Sequence, residues 1–142
     1  MTRESQLKTR VREAWHEAWD KGNVDALDGL LADGFERTTQ GSDASLSVVK
    51  LKEEILATRR AFPDLTTTID DLIEEGDRMA IFWTCTGTHD DELLGVPATR
   101  RRVTIYGSNL CRFADGKLSY ERVTWDPRHL LAALGISTVG HD

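Results

Sequence analysis

An aspartate stands where the last strand-like run gives way to a helix: Asp126, with Pro127 directly after it. A carboxyl group in an apolar pocket has its pKa pushed up towards neutrality. There it could serve as a general base, removing a proton next to a carbonyl and later returning it. Proline suits the first turn of a helix, so the same side chain is also fitted to be an N-cap. From the residues alone the cap is the favoured reading. Strand alternation puts Leu118, Tyr120, Arg122, Thr124 and Asp126 on one face and Ser119, Glu121, Val123 and Trp125 on the other. The pattern does not decide which face is inward, because Trp125 is apolar and the first set holds an arginine. A bulge could exchange the faces partway. If Arg122 faces inward, it is a fixed cation two pleats from Asp126, able to favour the carboxylate or to hold an enolate oxygen.

Other side chains could share such a site. Asn109 sits among Ile105, Leu110 and Cys111; its amide could hydrogen-bond a substrate oxygen without titrating, or pair with a buried backbone group. His89 closes a strand beside Asp90 and Asp91. It is a candidate second acid/base, although a rim histidine paired with a carboxylate is the commoner arrangement. Trp83, in phase with Ile81 and Cys85, could stack on a flat ligand or fill the core. Tyr106 and Tyr120 are further candidates for orienting a ligand oxygen. Cys85 and Cys111 read as small buried thiols, with a disulfide left open, and no metal-ligand spacing occurs.

The elements that must position these groups follow from periodicity. Residues 5–22 form an amphipathic helix through Leu7, Val11, Trp15, Ala18 and Trp19, the two tryptophans reading as core. A second short helix is expected over 24–32, a short strand over 35–39, and a small-residue loop over 40–47. A helix over 49–62 ends before Pro63. Strands follow over 64–75, 78–88, 102–113 and 117–126, the last two joined by Ala114-Asp115-Gly116, an Asp-Gly hairpin connection. Segment 93–97 (Leu-Leu-Gly-Val-Pro) could close over a pocket as a lid or merely anchor its loop. Leu130, Leu131 and Leu134 make a last helix and Gly135 stops it, leaving 136–142 as a frayed tail. Helices gathered before an antiparallel meander give an α+β cone, a curved sheet wrapped around N-terminal helices with an internal pocket.

The 142 residues fit a single domain. A net charge of −6 and the lack of a basic stripe exclude a nucleic-acid footprint, and Arg100, Arg101 and Arg102 are a solvated strand entrance. No apolar run approaches the ~20 residues of a membrane span, and no signal peptide is visible, so a cytoplasmic protein is expected.

Several segments in this order resemble the SnoaL-like polyketide cyclases of the NTF2-like superfamily. They are Ala61-Phe62-Pro63-Asp64-Leu65, Glu75-Gly76-Asp77, Trp83 to His89, Leu94 to Thr99, Arg112 to Leu118, and Asp126 with Leu130 to Gly135. The resemblance implies an aspartate at Asp126, ten residues after the hairpin Gly116, acting as acid/base inside the cup. The reaction implied is an aldol-type ring closure of a polyketide-like ketone, without metal or cofactor. It further implies a small hydrophobic or polycyclic ligand and a homodimer packed sheet to sheet, for which a face bearing Val123 and Trp125 would serve. The chain departs from the pattern at Arg122, where a tryptophan is frequent, at Asn109, where a histidine is frequent, and at Asp91, where a glycine is frequent.

Two alternatives stand beside cyclisation. One is an epoxide hydrolase or hydroxylation-related enzyme. Hydrolysis would need a second carboxylate facing the cup, for which Asp70 and Glu36 are the candidates. The other is a ligand-binding or dimerisation module without catalysis, in which the cup is filled and Asp126 is spent on its helix.

Overall fold

The computed structural model describes residues 4–136; the expected tail beyond Ile136 lies outside them. Helix α1 (Gln6–Trp15) starts where the Ser5 hydroxyl accepts a hydrogen bond from the Lys8 amide, 3.1 Å. The helix expected over 5–22 is not uniform. Its last turn, His16–Asp20, widens into a π-helical turn. That turn brings Asp20 against the sheet, where Oδ1 accepts from the Thr67 amide at 2.8 Å and from the Thr67 hydroxyl at 2.7 Å. Residues 24–32 hold only a 3-10 turn, Val24–Gly29, because strand β1 already starts at Leu31 and runs to Thr39. A two-residue strand, β2 (Ser45–Leu46), lies in the expected small-residue loop. Helix α2 (Val48–Ala61), capped by Ser47, ends two residues before Pro63.

Strands β3 (Thr66–Glu75), β4 (Arg78–Thr88), β5 (Arg102–Ala114) and β6 (Lys117–Trp125) are the expected meander. The sheet has six strands in the order β2-β1-β6-β5-β4-β3, with β1 running parallel to β6. The β5–β6 connection is a two-residue turn in which Asp115 and Gly116 both have positive φ, 52° and 76°. A type I′ turn needs that pair of angles and Asp-Gly supplies it. Helix α3 (Pro127–Ala133) closes the chain.

The sheet curves around two apolar clusters. One joins α1, α2 and the concave face through Val11, Phe35, Ile55, Met79, Ile81 and Cys111. The other lies under α3, where Ala61, Phe62, Leu65, Val103, Leu130 and Leu134 meet. Trp19 packs against both, and the cup opens between them.

Irregularities in the strands decide what the cup contains. Across the β5–β6 pair, Arg112 faces Tyr120 while Phe113 faces Leu118, so Ser119 is an extra, unpaired residue. This bulge resets the alternation of β6. Leu118 points inward, but beyond it Glu121 and Val123 are the buried side chains, while Arg122, Thr124 and Asp126 are exposed. The expectation that the Asp126 face lines the cup is therefore corrected. With it goes the idea that Val123 and Trp125 form an exposed dimer face, because both turn inward and line the cup.

Candidate functional site

The cup is a hollow of about 190 Å³ between the inner sheet face, the start of the chain and α2. All four tryptophans of the chain line it: Trp15, Trp19, Trp83 and Trp125. Trp15 sits between two of the others, its ring centroid 6.2 Å from Trp19 and 6.5 Å from Trp83, all tilted. The Trp15 indole N–H donates to the Thr67 hydroxyl, 2.8 Å, which donates onward to Asp20. The Trp83 indole N–H donates to Asn109 Oδ1, 2.9 Å. An indole only donates, so the Asn109 oxygen must face it.

Trp83 also lies flat against the backbone of Gly107. A Cβ placed there would meet the indole at 2.1 Å, far inside van der Waals contact. Glycine at this register of β5 is what lets the ring lie down and become a wall.

The charged group reaching the cup from the sheet is Arg37. Its guanidinium Nη1 donates to Glu121 Oε1 across β1 and β6. Both side chains are sealed, 12% and 7% exposed. Glu121 Oε2 accepts from the Cys111 thiol, 3.6 Å. Glu121 is the buried carboxylate among the described residues. Beside it is a second, smaller hollow of about 30 Å³, which shares Trp15, Trp19 and Arg37 with the cup. Besides pairing with Glu121, Arg37 lines the cup. Cys85 also lines the cup, and burial pushes its thiol up to about 12. That keeps it protonated and unreactive at neutral pH. Cys111 is raised as well, by burial and by the neighbouring Glu121 carboxylate. Both cysteines are free.

The sequence-derived candidates are scattered by this geometry. Trp83 is in the cup. Asn109 is buried and serves as the clasp of Trp83. Asp126 is half exposed, 53%, and its Oδ1 accepts from the Arg128 amide at 2.9 Å as the cap of α3. The Arg128 guanidinium and then that amide hold its pKa below the usual carboxylate value, opposite to the upward shift a buried base requires. Arg122 is exposed on the convex face. Tyr120 is half-buried there, its hydroxyl 2.9 Å from that of Thr38. Tyr106 is 61% exposed, its ring against His129. Asp70 and Glu36 are exposed too, so the second carboxylate that hydrolysis needs is supplied by neither.

His89 is not at a rim beside a carboxylate. It is completely buried, its ring 5.5 Å from Phe62. The Thr99 amide donates to Nδ1, 3.2 Å, and the Thr99 hydroxyl is 3.0 Å away. Nδ1 is thus the acceptor, and Nε2 has no partner among the described residues. This clasp fastens the base of the 89–101 loop, whose tip carries Leu93 and Leu94 to the mouth of the cup. The tip is a tight turn with Leu94 and Gly95 at positive φ and a Leu93–Val96 bridge.

Read as a whole, the chain matches the SnoaL-like polyketide cyclase family over residues 9–134. The chain belongs to that family. Its fold is NTF2-like. IdmH of Streptomyces antibioticus, described as a candidate polyketide cyclase, is similar at 27% identity and TM-score 0.78, covering 92% of this chain and 99% of that one. AclR of Streptomyces galilaeus, described as a candidate hydroxylase, is similar at 26% identity and TM-score 0.80, covering 92% and 96%. A ketosteroid isomerase-like protein of Catenulispora acidiphila, at 18% identity and TM-score 0.72 over 94% and 95%, shares the fold. No curated protein matches the sequence. Among the described residues no helix is long and apolar enough to cross a membrane, and no group of three His, Cys, Asp or Glu is placed to hold a metal ion.

The residues that sequence reading missed are Arg37, Glu121, Trp15, Trp19 and Trp125. The tryptophans left a trace, because four such large rings in one small domain ask for a common surface. Arg37 left none, as it lies in a run of mixed polar residues, Glu36 to Thr39.

Proposed function

We propose that this SnoaL-like protein closes a ring on a flat, mostly apolar polyketide-like ketone bound in the tryptophan-walled cup. Arg37 holds the ligand oxygen and Glu121 moves the proton. The observation that carries this reading is a buried arginine–carboxylate pair at the wall between the two hollows: Arg37 lines both, and Glu121 lines the smaller one. Glu121 takes the proton directly from the carbon next to a carbonyl, where the edge of the ligand enters the smaller hollow that Glu121 lines. The resulting enolate oxygen is held by Arg37, whose charge acts strongly in a site screened from water. The enolate carbon attacks a second carbonyl of the same molecule and forms the C–C bond. The alkoxide so formed takes the proton back from Glu121, and nothing else is consumed. The family match and the likeness to IdmH support the reaction class.

The deciding comparison is turnover of aromatic polyketide diketones by Glu121→Gln and Asp126→Asn. Glu121→Gln should lose ~10²-fold or more, the ordinary worth of a positioned acid/base, while Asp126→Asn, still able to cap α3, keeps wild-type rates. The reverse pattern returns the chemistry to Asp126 and overturns the assignment. Binding without turnover is the second reading, and one observation favours it: both Glu121 oxygens already have protein partners. Ligand binding by a wild-type protein that converts no diketone would establish it.

We also propose a homodimer, on a corrected face. Phe82, Tyr106 and Ile73 are exposed and belong to the convex side of the sheet. Sedimentation should give twice the chain mass, and Phe82→Lys should halve it.

A further inference from the structure

Resting on the reading of the cup as a ligand site, we infer that it selects a planar aromatic of one or two fused rings bearing an anionic oxygen. Larger polycycles are excluded. Volume sets the limit. The hollow holds about 190 Å³, little more than the ~150 Å³ of an apolar cavity that takes up benzene. It is well short of the ~300 Å³ at which ordinary ligand pockets begin. A second fused ring uses up the difference.

The walls do not give way easily. Trp83 is backed by the Gly107 backbone and tied to Asn109. Trp15 is tied through Thr67 to Asp20. Across the mouth, Leu93 and Leu94 are carried by a loop fastened at His89. Indole faces on several sides accept a flat π-system, and Arg37 asks for an oxygen that carries or develops negative charge.

The test is calorimetric titration of the wild type with benzoate, 2-naphthoate and anthracene-2-carboxylate, and with neutral 2-naphthamide. In a hydrophobic pocket even one methylene too many costs about tenfold or more, so anthracene-2-carboxylate should bind at least tenfold more weakly than 2-naphthoate. The amide should also bind about tenfold more weakly than the acid, from loss of a charge-assisted bond, and Arg37→Met should erase that difference. Trp125→Ala should admit anthracene-2-carboxylate, which a merely sticky surface would not show. Equal affinity for the two- and three-ring acids overturns the size limit while leaving the Arg37 reading intact. Failure of every acid to bind overturns both.

Discussion

Removing Arg37 should cost this protein stability as well as ligand, by an amount the structure lets one estimate. In Arg37→Met the Glu121 carboxylate stays 7% exposed and keeps only the weak Cys111 thiol as a donor. Breaking a buried ion pair by deleting one partner costs roughly 3–5 kcal/mol, because the survivor is an uncompensated charge. Against a total of ~5–15 kcal/mol that is a large fraction, and with a urea m-value near 2 kcal/mol/M it moves the midpoint by about 2 M. The double variant Arg37→Met/Glu121→Leu removes both charges. It should return to within ~1 kcal/mol of wild type or exceed it, as apolar replacements of buried pairs do. Urea unfolding followed by tryptophan fluorescence measures all three chains. A single variant that loses less than about 1 kcal/mol, or a double variant that loses as much as the single, would mean that Glu121 is not a sealed charge. The site assignment would then lose its basis.

Other outcomes follow from the same geometry. Gly107→Ala sets a methyl group 2.1 Å from the Trp83 indole. It should cost ~1–3 kcal/mol as overpacking, with loss of the near-ultraviolet circular dichroism of the tryptophan cluster. Cys85, with its thiol pushed up to about 12, should react with a disulfide reagent at pH 8 far more slowly than a free thiol; a fast reaction would show the cup to be open to water. Asp64, whose carboxyl accepts from the Thr88 amide and hydroxyl, is held below its ordinary pKa by those bonds, as Asp126 is by Arg128. Depressed carboxylates stabilise the fold above their unfolded pKa, and that contribution disappears as pH falls through the folded value. Melting temperature should therefore drop below about pH 4, and less steeply in Asp64→Asn.

The fold was legible because its signals are local and agree with one another. Asp-Gly demands a I′ turn, Pro63 ends α2, and apolar spacing builds α1. The boundaries that slipped were those set from a distance. Strand β1 begins at Leu31 rather than Phe35 because Leu31 finds Leu118 of β6 as a partner, which no window around Leu31 contains. Similarly, α1 yields to a π-helical turn where Asp20 reaches Thr67 on β3.

The site was less legible for a reason carried by a single residue. Alternation is a parity argument, and parity survives only if every residue of the strand is paired. Ser119 is not. An unbroken count puts Leu118 and Asp126 on the same face, whereas the structure turns Leu118 inward and Asp126 outward, and nothing in Leu-Ser-Tyr-Glu says where the count breaks. The apolar members of the second half, Val123 and Trp125, held the answer, since an exposed Val-x-Trp edge is a poor solution for a strand that has a core to face. Weighted that way, the same sequence puts Glu121 inside, two residues before Val123. A buried glutamate then demands a cation on a neighbouring strand. Strand β1 offers Arg37, in register with it.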